Sequence, residues 1–267
     1  MAKSAVTAER FAKGLTFDQY VKYAGSPENL AREAFGGYFP DGGSFAAARK
    51  DNSAVFRDRY AKAQLSEPQA AAIKWLAAQP GGPARILAIS EEWSSDCRRD
   101  IPTLARMAEA GGLELRIVPR DGAKFGASHT PTLAEAPDSN ADIMAEFLKT
   151  NNGQTWQSIP VAVFYTKDLR YLYHYTEFFA IYEKDRIVSG HIRAPRPGET
   201  PEQTKARIAT EFPALQGSVA RVHERLDYSP RELDLALDRL EDAMRAVLSR
   251  PDESTRRPGP RARRRGR

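Results

Sequence analysis

Trp93-Ser94-Ser95-Asp96-Cys97 is the stretch whose residue types and spacing best suit chemistry. A thiol at a helix N-terminus meets unpaired backbone N–H groups and the positive end of the helix dipole, and both stabilise a thiolate. Asp96 should raise the Cys97 pKa by like charge, whereas Arg98, Arg99 and the dipole should lower it; sequence does not settle the balance. Ser94 is a good N-cap, able to satisfy an orphan N–H of the same helix. As a hydrolase nucleophile it lacks support, because no Gly-x-Ser-x-Gly elbow or placed histidine accompanies it.

Other residue types narrow the field. With one cysteine the chain forms no intrachain disulfide, and a single thiolate cannot close a paired-cysteine zinc site. His129, His174, His191 and His223 are scattered, with no pair at i, i+4, so neither a metal nor a cofactor is expected. The glycine pairs at 36-37, 42-43, 81-82 and 111-112 match no phosphate loop or dinucleotide fingerprint. Glu91 and Glu92 are adjacent and should point apart, leaving at most one to face the site. Tyr171, Tyr173, Tyr175, Phe178, Phe179 and Tyr182 read as core and edge packing.

The elements that position the motif follow from periodicity and punctuation. Residues 1 to about 80 read as helices and loops. Ser26-Pro27-Glu28 starts a short helix that Gly36-Gly37 should stop. Ser66 and Gln69 have capping-box spacing at the start of a second, which runs through Ile73, Trp75 and Leu76 to Pro80-Gly81-Gly82-Pro83. Arg85 to Ile89 is an apolar run typical of a buried strand, followed by a turn and a helix from about Ser95 to Ala110, closed by Gly111-Gly112. Leu113 to Val118 reads as a second strand, Gly122 to Asn140 as a long loop, and Ala141 to Lys149 as helix. Val161 to Tyr165 is the clearest strand, and Thr166-Lys167-Asp168 turns it into a partner over Leu169 to Tyr175. The order β-α-β, then α-β-β, predicts an α/β fold with helices over a central sheet. Thr200-Pro201-Glu202-Gln203 and Ser229-Pro230-Arg231-Glu232 each start a C-terminal helix. Leu233, Leu237, Leu240, Met244 and Val247 form an apolar stripe expected to lie against the main domain.

Strand, Trp-x-x-x-Cys turn and helix resemble the thioredoxin-like family. Ile86 to Trp93 followed by Asp96-Cys97 is similar to a bacterial group that usually reads Trp-Cys-Gly-Asp-Cys. Pro102, five residues after Cys97, sits where the family carries a proline that kinks its active-site helix. Ser158-Ile159-Pro160-Val161 resembles the cis-proline loop that faces the redox motif. The resemblance covers about residues 84 to 176. It implies a thioredoxin-like fold, a central mixed sheet flanked by helices, with helical N- and C-terminal extensions. Taken singly, each feature has a plainer reading: Trp93 as a packed aromatic, Ile159-Pro160 as an ordinary trans strand start, Pro102 as a helix start capped by Asp100, and Cys97 as a small buried hydrophobe. Their joint order carries the likeness.

The resemblance places Ser94 where the attacking cysteine belongs and Cys97 at the resolving position. A serine hydroxyl is essentially un-ionised near neutral pH and forms no stable disulfide, so the dithiol cycle is closed within one chain. Ala88 stands at the strand position where many thioredoxins bury an acid. The expected units are a helical extension over 1–82, a thioredoxin-like domain over 83–178, a helical extension over 179–250 and an arginine-rich, disordered tail over 251–267.

The net charge of +5 comes from that tail: setting aside the seven arginines of 256–267 leaves 33 of the 40 basic residues against 35 acidic ones. No apolar run is long enough to cross a bilayer, and the N-terminus lacks an apolar signal core, so a soluble cytoplasmic protein is expected. Three functions follow. One is a thioredoxin-family protein with dithiol activity lost, keeping a groove at Trp93, Ser95, Asp96, Ile159 and Pro160 for an extended client segment. Another is a monothiol enzyme using Cys97 with glutathione or a partner thiol. A third is an interaction module whose tail binds nucleic acid or another anionic partner. Oligomeric state is open.

Overall fold

The structure is a computed structural model that describes residues 4–39, 43–151, 153–177 and 195–211. Three short helices begin the chain: α1 (Ala8–Lys13), α2 (Phe17–Ala24) and α3 (Pro27–Leu30). Thr7, Thr16 and Ser26 cap them with side-chain oxygens, and Thr16 with Gln19 forms a full capping box. A hairpin follows, β1 (Glu33–Tyr38) and β2 (Ser44–Ala48), then α4 (Ser53–Lys62) and α5 (Glu67–Ala78). Next come β3 (Arg85–Ser90), α6 (Ser95–Gly111), β4 (Glu114–Pro119) and α7 (Ala141–Ala145). A small hairpin of β5 (Lys149–Asn151) and β6 (Gln154–Trp156) precedes β7 (Val161–Tyr165) and β8 (Tyr171–Thr176). A further helix covers 201–211, with Thr200 and Gln203 exchanging the expected capping-box bonds.

The central sheet has the order β4-β3-β7-β8. β4 runs parallel to β3, and β7 and β8 are antiparallel to their neighbours. All five residues of β7 are buried, and so are five of six in β3, which is why both read as unbroken apolar runs. The outer edge of β4 is covered by Leu15, whose N–H and C=O both bond Ile117 at 2.8 Å. α4 and α5 lie against α6. Phe11, Tyr20, Phe56 and Ile73 from the N-terminal helices share one core with Ile86, Leu87, Ile101 and Val163. Each such side chain, fully buried, contributes about 1.5–3 kcal/mol.

Three expectations are corrected. Residues 1 to 80 are not helices and loops alone, because 33–48 form the β1–β2 hairpin. Gly36 and Gly37 do not stop a helix; α3 has already ended at Leu30. They lie within β1 because the Phe45 ring crosses the hairpin there: a Cβ on Gly36 would meet that ring at 2.7 Å, and Gly37 has φ 147° at a bulge in the register. The helix expected from Ala141 to Lys149 is only α7. Its last turn tightens through Glu146 N–H to Ile143 O and Phe147 N–H to Met144 O, and the chain leaves into β5. The second capped start, Ser229 to Glu232, and the leucine stripe after it lie outside the described residues.

Candidate functional site

The motif occupies the junction where β3 hands over to α6. Ser94 is the N-cap, with extended backbone (φ −74°, ψ 127°), and its Oγ accepts the Cys97 N–H at 3.4 Å. Gly112 closes the far end of α6 in the left-handed conformation. Pro102 lies inside α6, where the resemblance places it.

Cys97 is fully buried. Burial pushes its thiol up to about 12; hydrogen bonding by the Ser90 hydroxyl, the Glu91 backbone and the Ser94 hydroxyl pulls the other way, and Asp96 adds to the rise. The contest expected between Asp96 and the neighbouring arginines is therefore settled by desolvation. Asp96 itself is raised to about 6, mainly by burial, with Arg99 lowering it and Glu177 raising it. Arg99 bonds Asp96 at 3.0 Å and also engages the buried Asp100 and the Glu177 carbonyl.

Ile159-Pro160 is a cis peptide on the far side of the motif. Trp93, Ser94, Ser95, Asp96 and Ile159 line one cavity of about 680 Å³. Cys97 and Pro160 are buried and do not line it. The opposite wall was not visible in sequence: it comes from Phe35 and Tyr38 on β1, Phe125 and His129 in the loop after β4, and Trp156 on β6. Trp93 packs between Phe35 and Phe125, with ring centroids at 5.6 and 5.9 Å, and the Arg120 guanidinium sits 5.3 Å from its ring. Arg120 also holds the loops in place, donating to the carbonyls of Gln157 at 2.8 Å and Gly126 at 3.1 Å.

Beneath the motif lies a buried charge cluster, which corrects the expectation for Glu91 and Glu92. They do not diverge; both turn inward onto Arg49, whose Nη1 lies 2.6 Å from Glu91 and 2.5 Å from Glu92. Glu91 also accepts from Arg32 at 2.9 Å and from the Asp121 N–H at 2.7 Å. Buried carboxylates require such partners, and the hairpin supplies them, with Arg32 just before β1 and Arg49 just after β2. Arg49 Nη2 and Glu92 Oε1 have no partner among the described residues.

Ala88 is buried opposite Ala162 of β7, with no acid at that strand position. Polar groups near the thiol come instead from Ser90, whose hydroxyl shares a 2.9 Å hydrogen bond with Tyr20. Tyr175 is buried and Tyr171 is exposed at the start of β8, bonding His174 at 2.8 Å. Phe178, Phe179 and Tyr182 fall outside the described residues, as do His191, His223 and the arginine-rich tail. Among the described residues no group of three or more His, Cys, Asp or Glu is placed to hold a metal ion, and no helix is long and apolar enough to cross a membrane.

The family described as Thioredoxin matches residues 43–184. No curated protein matches the chain. A crystal structure of a protein of unknown function from Pseudomonas aeruginosa is similar at 14% identity, over 92% of this chain and 99% of that one, with a TM-score of 0.43.

Proposed function

The chain belongs to the thioredoxin family, and from that premise we propose that it is a member whose dithiol activity is lost and whose groove is kept for an extended segment of a client protein. The family is of a general thiol-oxidoreductase kind, and its dithiol cycle requires two thiols within reach of each other. This chain holds one. The observation that carries the reading is Ser94: its hydroxyl serves as the cap of α6, accepting the Cys97 N–H, at the position the family resemblance gives to the attacking thiol. The change keeps the start of the helix in order and removes the nucleophile.

The groove reading is supported by the cavity shared between the motif and the Ile159-Pro160 loop. An extended segment there would offer main-chain hydrogen bonds to the loop and side chains to the cavity. In this reading residues 83–178 carry the groove, and 1–82 add the hairpin wall. The monothiol alternative is disfavoured by the burial of Cys97, because a thiol pushed up to about 12 leaves almost no thiolate near neutral pH.

The alkylation rate of Cys97 against pH, in the native chain and in an unfolded control, separates the two. The client-groove reading expects protection until the protein unfolds. A fast native rate titrating below the free-thiol value of about 8.5 would overturn it in favour of monothiol chemistry.

A further inference from the structure

We propose that the cavity selects its client segment by chemistry: a large aromatic side chain enters between the ring walls, and a carboxylate of the same segment pairs with Arg98. The inference rests on the client-groove reading and adds to it the class of segment that is bound.

The first observation is the shape and composition of the cavity. Its volume, about 680 Å³, lies within the range of built ligand sites. Phe35, Trp93 and Phe125 form one continuous aromatic surface, each ring within 6 Å of the other two. Trp156 adds a face, with its ring edge-on to His129 at 4.8 Å. Aromatic rings favour offset and edge-to-face contacts with one another, so a planar ring of the client has several partners here. From Tyr38 in the cavity wall, 66% exposed, the apolar surface continues outside along the hairpin to Phe39 and Phe45, 50% and 38% exposed.

The second observation is the charge balance of the walls. Two carboxyl groups, of Asp96 and Glu177, and two guanidinium groups, of Arg98 and Arg120, line the cavity. Asp96 is paired with Arg99, Arg120 with Asp121 at 2.9 Å, and Glu177 with Lys149 at 2.9 Å. Arg98 has no ion-pair partner among the described residues. Its Nη1 donates to the carbonyls of Glu92 at 2.9 Å and Trp93 at 2.7 Å, which fixes the guanidinium against the motif. The nearby acids are engaged elsewhere, Glu92 with Arg49 and Asp96 with Arg99. Burial and the neighbouring Arg59 both weaken its hold on its proton. Glu92 and Asp96 act on Arg98 only through space, without an ion-pair contact; a half-buried guanidinium with no bonded carboxylate favours an incoming one, and its planar fork suits that group. Charge complementarity thus commits the site to an acidic aromatic segment.

The test uses the full chain and three acetylated, amidated hexapeptides of diglycine-flanked Asp-Phe, Lys-Phe and Asp-Ala. Trp93 and Trp156 line the cavity and report binding by fluorescence, and backbone amide shifts locate it. The Asp-Phe peptide should bind about tenfold tighter than either of the others. Arg98→Gln should abolish the preference for Asp over Lys and keep that for Phe over Ala; Phe35→Ala should do the reverse. Binding in the groove with no preference among the three would overturn the inference and leave the client groove standing. No binding by any peptide would overturn both. N-acetylphenylalanine binding as tightly as the Asp-Phe peptide would assign the cavity to free aromatic acids, and peptide affinity that falls as the protein dimerises would assign it to a second copy; either overturns the proposal.

Discussion

Arg49→Ala should be the most damaging single change near the motif that leaves the motif itself intact. The Arg49 side chain is fully buried and joins Glu91 at 2.6 Å, Glu92 at 2.5 Å and the Glu33 carbonyl at 3.0 Å. Removing it affects the two carboxylates unequally. Glu91 keeps Arg32 and the Asp121 N–H. Glu92 loses its charged partner, and its other oxygen has none among the described residues. Breaking a buried pair from one side costs about 3–5 kcal/mol, because the remaining charge stays desolvated. Urea unfolding followed by circular dichroism at neutral pH measures the loss, provided the slope of the transition is unchanged. Adding Glu92→Gln to Arg49→Ala removes the stranded charge and should recover about 1–2 kcal/mol. The reasoning is refuted if Arg49→Ala falls within about 0.5 kcal/mol of the wild type, or if Glu92→Gln lowers stability equally in both backgrounds.

Asp96→Asn tests the electrostatics at the groove. The native carboxyl, raised to about 6, holds its proton more tightly than in the unfolded chain, so its contribution is full below about pH 4 and is lost as pH rises through the native value. Relative to the Asn variant, the wild type should lose about 2–3 kcal/mol between about pH 4 and about pH 7 and then level off; a gap independent of pH would contradict this. Gly82→Ala should destabilise by about 1–3 kcal/mol, because the new Cβ would lie 2.2 Å from the Leu76 carbonyl, a backbone atom that cannot step aside. Phe56→Ala should cost about 3–5 kcal/mol in the same unfolding assay, since Phe56 is fully buried edge-on to Tyr20 at 5.4 Å.

What the sequence disclosed was local. The apolar runs of β3 and β7, the Ser66–Gln69 capping box and the glycines after α6 all lie beside the elements they specify, so one window contains the signal. The β1–β2 hairpin escaped because its strands, Glu-Ala-Phe-Gly-Gly-Tyr and Ser-Phe-Ala-Ala-Ala, are rich in glycine and alanine, which pattern poorly as strand. Their pairing is decided by the Phe45 ring seated over Gly36 and Gly37. Arg49 and its two glutamates are more than 40 positions apart, so the assumption that adjacent carboxylates diverge had nothing nearby to correct it. The state of Cys97 stayed open in the sequence for a related reason: the charges weighed were its sequence neighbours, whereas the dominant influence is burial by the whole fold. Among the residues that line the cavity, Trp93, Ser94, Ser95, Asp96 and Ile159 come from one motif and one loop that the sequence marks, whereas Pro160 of that loop does not reach it. Phe35, Phe125 and Trp156 had no spacing that tied them to it.

If Ser94 stands where a redox thiol would complete the site, Ser94→Cys should restore the missing chemistry. The measurement is the dithiothreitol-driven reduction of insulin disulfides by the wild type, by Ser94→Cys, and by Ser94→Cys combined with Cys97→Ala. The wild type and the double variant should show no catalysis, and Ser94→Cys should show clear catalysis. A folded Ser94→Cys protein without activity, or a wild type that already turns over, would contradict that placement of Ser94.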